Sequence, residues 1–445
     1  MTVLTIINAC IAVIFTLCYA YQFLYLAIAI FGKPKKYPDA PPSKIAVLIA
    51  ARNESAVIDG LIGSLMAQDY PKDSYRVFVV ADNCTDNTAE VARNAGATVY
   101  ERFNNVEKGK GYAVDHLIKA IKADYGKDGF DAFIVFDADN IVAPNYLTEM
   151  NKAFSAGYDV VSSYRNASNY GANWRAAGQG MYFLRDARVM NYARVKLGCN
   201  TFVAGTGFLF SKELSEKYGG WPFHTLTEDG EFTMCNAVEG VKTAYCHEAM
   251  FYDEQATDLK TSWNQKLRWC KGGLQIFGKY QKKLVRGIFS SKVLSCFDMA
   301  MCLCAAYFIS LFAIVINLVV GTVLLFTGTH VSSVILPILA VVAGAYLALF
   351  PFGLFITIAE WKKIRASGAK KILYLFTFPV FILSFIPAAA VAIFKKVEWK
   401  QIKHEGAATN LKENAPEAQE APVAESESTE GAGSSESDEK ELVTK

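Results

Sequence analysis

The chain has 445 residues, 52% of them hydrophobic and 20% charged, which allows one large or two ordinary domains and is too apolar for a wholly soluble protein. The net charge of +2 averages a basic body with an acidic tail, and Lys and Arg gather at the borders of apolar runs, which excludes a nucleic-acid surface. Ten cysteines without a C-x-x-C fit reduced thiols and exclude zinc modules and a disulfide framework.

Residues 3–31 are almost entirely apolar and, at ~1.5 Å per residue, long enough to cross a bilayer. Lys33, Lys35 and Lys36 follow this run instead of preceding it. That order predicts an uncleaved anchor over residues 1–36 with its N-terminus outside, not a signal peptide. Pro38, Pro41 and Pro42 make a stiff linker. Strand-type runs at 45–50, 76–81, 98–101 and 133–137 then alternate with helical segments, one through Met66 and another through Ala123. The alternation predicts an α/β domain over residues 44–280, a mostly parallel sheet with helices on both faces. Such sheets bind ligands at the carboxyl ends of their strands. The loop Arg52-Asn53-Glu54, Asp82, Lys110 and the pair Asp137 and Asp139 all fall at that edge. Lys108 and Lys110 are either phosphate contacts or solvated loop lysines.

The middle section, 158–250, is expected to shape a second ligand side, with a strand at Asp159-Val160-Val161 and a long helix over 174–196. Trp221 and Trp263 either stack on a ligand or complete a core. Gly273 to Lys279 has the glycine and lysine spacing of a phosphate-binding loop, but Tyr280 replaces the required Ser or Thr and no strand precedes it, so that reading fails. From 281 an amphipathic segment is expected on the membrane surface, with Lys282, Lys283 and Arg286 among apolar residues. Apolar runs follow at 297–327, 331–359 and 372–394. Basic residues after Trp361 and at Lys395-Lys396 both call for the cytosolic side. The last run, with Pro379 and Pro387, is therefore expected to re-enter instead of crossing. The Ala-, Glu- and Ser-rich stretch 405–445 cannot offset its ordering entropy and is expected to be disordered.

Three motifs carry the chemistry. Phe133–Asp139 is an apolar strand ending in two carboxylates two residues apart, a D-x-D whose hard oxygens suit a divalent ion. Thr227-Glu228-Asp229 opens a helix, with the threonine placed to cap it. Gln265, Arg268 and Trp269 share a helix face, joining an amide, a planar cation and an aromatic plate.

In this order and beside apolar spans, the three motifs resemble membrane-embedded family 2 glycosyltransferases, the group of cellulose, hyaluronan and poly-N-acetylglucosamine synthases. The resemblance covers residues 44–280 by motif and reaches about 404 by membrane arrangement. It implies a GT-A type, Rossmann-like cytosolic domain set between an N-terminal transmembrane helix and C-terminal transmembrane segments within 281–404. It further implies that Arg52, Asn53, Glu54 and Asp82 contact the donor's base and ribose, and that Asp139 with Asp137 holds Mg²⁺ or Mn²⁺ at a UDP-sugar diphosphate. Lys110 and Arg268 would serve that diphosphate. Asp229 would be the general base, and Gly205, Thr206, Glu228, Gln265 and Trp269 would shape the acceptor side; the run Phe202–Gly207 resembles the family's turn beneath the acceptor sugar. The expected activity is inverting transfer to a growing β-linked polysaccharide, with a membrane-lipid acceptor as the alternative and an inactive transporter or scaffold as the remote one. The small number of spans leaves room for a partner that exports a polymer.

Overall fold

The computed structural model describes residues 3–398; the segment 405–445 lies outside them. The first apolar run is two helices, α1 (Val3–Tyr19) and α2 (Tyr21–Phe31), meeting at 46°. Eight strands follow: β1 (Ile45–Ala51), β2 (Tyr75–Asp82), β3 (Thr98–Arg102), β4 (Ala132–Asp137), β5 (Ile141–Val142), β6 (Val160–Ala167), β7 (Phe208–Ser211) and β8 (Thr243–Asp253). They form one sheet in the order β3-β2-β1-β4-β7-β6-β8-β5. The half from β3 to β4 is parallel; β7 runs antiparallel to both its neighbours, and β6 and β8 are parallel again.

Helices α3 (Ile58–Met66), α4 (Thr88–Asn94), α5 (Lys110–Tyr125) and α6 (Tyr146–Ser155) connect or flank these strands. Strand β1 explains why both faces are covered. Its Ile45, Val47 and Ile49 join one core with Leu61 and Leu147, while Ala46 and Leu48 join the opposite core with Leu117 and Phe210. A strand apolar at every position buries both sides of its two-residue period.

The helix expected over 174–196 is α7 (Trp174–Arg185), a π-helical turn (Asp186–Asn191) and α8 (Tyr192–Lys196). After α9 (Lys212–Lys217) and α10 (Glu228–Glu239), α11 runs unbroken from Leu259 to Ile288, so the surface segment expected from 281 is its last turns. Then come α12 (Val293–Ala300), a second π-helical turn, α13 (Ala306–Phe326), α14 (Val331–Ala359), α15 (Gly368–Leu383) and α16 (Phe385–Phe394). Among the described residues three segments are long and apolar enough to cross a membrane, Ala306–Phe326, Val331–Ala359 and Gly368–Phe394, and the bent α1–α2 pair makes a fourth if it is one span.

The apolar helices are bolted to the sheet domain by polar contacts. Asp298, 1% exposed, accepts from Arg194 Nε at 2.7 Å and from Tyr21 Oη at 2.9 Å, tying α2 and α12 to α8. Glu360, just past α14, accepts from Tyr164 Oη at 2.7 Å and Arg188 Nε at 2.9 Å. The α15–α16 pair is held at its start by Lys370 donating to Gly171 O (2.7 Å), at its break by Lys266 donating to Ser384 Oγ (2.6 Å), and near its end by Lys271 donating to Ala392 O (3.0 Å).

Candidate active site

The carboxyl edge of the parallel strands carries two strained loops. Asn53 and Asn83 have φ of 56° and 54°, the two non-glycine residues in the left-handed region among those described. Asparagine tolerates this because its short amide bonds locally. Asn53 accepts from Thr85 N (2.7 Å) and donates to Thr85 Oγ1 (3.0 Å), and Asn83 Oδ1 accepts from Asn104 N (2.9 Å). Glu54 N donates to Thr88 Oγ1 at 2.8 Å, so the Arg52–Glu54 loop is bound to the loop after β2. Asp82 is buried against Arg102, its register partner on β3, whose Nη1 donates to Oδ1 at 2.7 Å. The sequence reading missed Arg102; only the pairing of β2 with β3 reveals it.

At the end of β4, Asp137 is ion-paired with Lys110, whose ammonium also donates to Gly205 O at 2.7 Å. Burial pushes the Asp137 carboxyl up, but the Lys110 cation outweighs it and holds the group below the usual carboxylate range. Asp139 is 8% exposed and accepts from Asn140 Nδ2 at 3.1 Å. Thr206, expected on the acceptor side, accepts from Asp137 N (2.9 Å) and donates to Asn140 Oδ1, so its hydroxyl fastens the D-x-D turn.

Gly205 links the two halves of the site. Its φ of +83° demands glycine, and a Cβ there would stand 3.4 Å from Asp229 Oδ2. Asp229 is the second residue of α10, after Glu228. Burial raises the Asp229 carboxyl, with Arg268 and Lys110 partly opposing. Burial, then the Asp229 charge, pushes Glu228 up to about 7. Thr227 does not cap the helix: its Oγ1 has no hydrogen-bond partner and faces Gly272 of α11.

The Gln265–Trp269 set lies on α11 as expected, with its members reaching different neighbours. Gln265 Oε1 accepts from Gln179 Nε2 of α7 at 3.3 Å. Arg268 Nη1 donates to Leu226 O at 3.0 Å, beside the T-E-D turn. Trp269 lies between Tyr182 and Phe385, with centroids at 6.4 and 6.1 Å and planes within 20° and 12°. Trp221 is core, 2% exposed among Phe208, Phe210 and Phe232; Trp263 packs on the cluster around Phe385.

Arg165 was also missed. Its Nη1 donates to Ala204 O at 2.7 Å, its Nε donates to Asp253 at 2.8 Å, and its guanidinium lies 3.5 Å from the Phe183 ring centroid. It lines a small cavity behind the Phe202–Gly207 run with Asp186, Asn191, Ala204 and Thr206. A lone arginine in the strand Tyr164-Arg165-Asn166 carries no pattern that could have identified it.

Asp137 and Asp139 offer hard oxygens at one strand end, which fits Mg²⁺ or Mn²⁺. Among the described residues no cluster of three or more His, Cys, Asp or Glu could hold a metal by itself. An ion here would take its remaining ligands from a diphosphate and water. The edge thus combines a pair of carboxylates beside a lysine, a further carboxylate beside a tight glycine turn, and an aromatic stack abutting apolar helices.

Known proteins are similar to this chain in sequence and in fold. The chain is 27% identical over 241 residues to the β-monoglucosyldiacylglycerol synthase of Synechocystis, covering 54% of this chain and 50% of that protein. It is 25% identical over 261 residues to the poly-β-1,6-N-acetyl-D-glucosamine synthase of Staphylococcus aureus, covering 56% and 57%. The chain thus spans about half the length of these relatives. Among solved structures, the mannosyltransferase PcManGT of Pyrobaculum calidifontis, in complex with GDP-Man and Mn²⁺, aligns over 88% of this chain and 99% of its own, with a TM-score of 0.53 and 17% identity. The family described as glycosyltransferase like family 2 matches residues 41–272, which enclose all eight strands and the three motifs, and the chain belongs to that family.

Proposed function

We propose that this enzyme transfers a sugar from a UDP-sugar, UDP-glucose or UDP-N-acetylglucosamine being favoured, to an acceptor at the cytosolic membrane face, with inversion at the anomeric carbon. One observation carries the reading: the Asp229 carboxylate lies beside Gly205, whose carbonyl takes the same ammonium that pairs with Asp137. The proton acceptor and the diphosphate centre are therefore one turn apart.

In this reading the Arg52–Glu54 loop and Asp82 bind the base and ribose. Asp139 and Asp137 hold Mg²⁺ or Mn²⁺, which when bound neutralises charge on the diphosphate. Lys110 and Arg268 add fixed cations near Asp229, suited to charge that grows on the leaving group. Asp229 takes the proton of the acceptor hydroxyl, which attacks opposite the departing UDP; one in-line displacement converts an α-linked donor to a β-glycoside. Gly205, Glu228 and Gln265 shape the acceptor cleft up to Trp269.

The acceptor supported best is a membrane lipid. Trp269 stacks on Phe385, which belongs to an apolar segment held to the sheet domain at its start, break and end. The aromatic end of the cleft therefore meets the surface where a lipid head group arrives. The same three attachments, spread along its length, support an α15–α16 segment that stays on the side of the sheet domain instead of crossing, with α13 and α14 crossing as a pair and the basic ends on the cytosolic side. The synthase of glucosyldiacylglycerol among the relatives agrees. A growing β-linked polysaccharide is the second reading, favoured by the complete Gln265, Arg268 and Trp269 set and by the poly-N-acetylglucosamine synthase; an export partner would then be needed.

Membranes carrying the protein, given each labelled UDP-sugar with Mg²⁺ or Mn²⁺, test this. A small product extracted into organic solvent supports the lipid acceptor. A polydisperse product that resists extraction overturns it in favour of the polymer.

A further inference from the structure

Helix α11 presents a stripe at 268, 272, 275 and 279, spaced four, three and four residues apart, which keeps all four positions on one face. Every member meets the segment 225–231 that contains the T-E-D turn. Arg268 Nη1 donates to Leu226 O at 3.0 Å, and Gln275 Oε1 accepts from Leu226 N at 3.0 Å, so one peptide unit on each side of Leu226 is held from α11. Lys279 is ion-paired with Glu231 Oε1, while Glu231 Oε2 accepts from Thr225 N at 3.1 Å. Gly272 gives Thr227 room to lie against the helix backbone. The Glu231 side chain is only 1% exposed, which leaves Lys279 as its one ion-pair partner among the described residues.

We infer that Gln275 and Lys279 are positioning residues: from α11 they set the T-E-D turn and hence the place of Asp229 relative to the acceptor. The inference rests on the reading of Asp229 as the base. Neither residue belongs to the strand edge or to the Tyr182–Trp269–Phe385 stack; each contacts the segment that carries the T-E-D turn. The opposite side of α11 is fastened to the α15–α16 segment through Lys266 and Cys270, and Lys271, at the flank of the stripe, reaches Ala392 O. The same rod thus joins the apolar segment to the catalytic turn, which accounts for a helix of 30 residues where the Gln265–Trp269 set alone needs two turns.

Displacement of a reacting group by about 1 Å costs up to ~10²-fold in rate without loss of substrate binding. The test uses the full chain in membranes, with UDP-glucose and UDP-N-acetylglucosamine as donors and UDP release as readout. Gln275→Met and Lys279→Met are expected to lower kcat at least tenfold with donor KM within twofold, and Lys279→Arg to restore most of it. Hydrogen–deuterium exchange of the 222–231 peptide, which does not depend on activity, is expected to rise in both Met variants while that of β1 and β4 stays unchanged. Wild-type kcat in both Met variants, or exchange that rises across the whole sheet with no rescue by Lys279→Arg, overturns the inference. Asp229→Asn is the control. If it retains activity, the reading of the base fails; if it is inactive while the Met variants are fully active, only the positioning role fails.

Discussion

Gly272 lies directly beneath Thr227: a Cβ on Gly272 would overlap Thr227 Oγ1 and stand 2.8 Å from its Cγ2. The turn carrying Asp229 therefore packs its Thr227 side chain against the backbone of the helix carrying Arg268 and Trp269, and the missing side chain at 272 sets their spacing. Gly272→Ala should force them apart and lower kcat ~10²-fold, since a reacting group displaced by about 1 Å loses on that order. Adding Thr227→Ala removes the overlapping oxygen and methyl, and should recover part of the rate. UDP release by the single and double variants measures both effects.

Asp229 and Glu228 give opposite pH signatures. Asp229 must be ionised to accept a proton, and its carboxyl is raised, so kcat should fall as pH drops through that raised value. Asp229→Asn should lose UDP release by at least ~10²-fold, the usual contribution of a general base, and should lose the acidic limb of the profile with it.

For Glu228 the prediction concerns stability. Its carboxyl is raised to about 7, above the unfolded value of 4.5, so the folded state binds the proton more tightly. Stability from this group is then fully present below about 4.5, falls as pH rises towards about 7, and is flat beyond. Glu228→Gln mimics the protonated form and should raise the melting temperature more at pH 8 than at pH 5. An equal change at both pH values would contradict the assignment.

Chelation tests the metal reading. EDTA should abolish UDP release, and Mn²⁺ or Mg²⁺ in excess should restore it. Asp139→Ala should remove the response, and Mn²⁺ binding followed by paramagnetic resonance should weaken in that variant whether or not it turns over.

The membrane arrangement can be tested from outside the cell. In a background with reactive native cysteines replaced, His330→Cys, in the α13–α14 connection, should react with an impermeant maleimide. Lys395→Cys, past α16, should react only after permeabilisation. Labelling of Lys395→Cys in intact cells would show that α15–α16 crosses.

The strands, their parallel half and the three motifs were legible in the sequence because each depends on local pattern. Runs such as Ile45–Ala51 are apolar at every position, which only a strand buried on both faces explains, and paired acids at the end of Phe133–Asp139 follow from the same geometry. Breaks within helices were less visible. The π-helical turn at Asp186–Asn191 interrupts a pattern that reads as one helix, and α11 continues through residues whose amphipathicity suggested a separate element.

What only the tertiary structure decided are contacts between residues distant in sequence. Arg102 meets Asp82 because β3 pairs with β2; Arg165 meets Asp253 because β6 pairs with β8. Thr227 proved not to be a cap, since α11 reaches it first. Trp221, equally fit for a ligand or a core, was settled by the three phenylalanines that enclose it. Local pattern specifies which elements form and which chemistry they carry, because period and propensity act over a few residues. Which side chains oppose one another depends on register and packing between elements, and these are set by the fold as a whole.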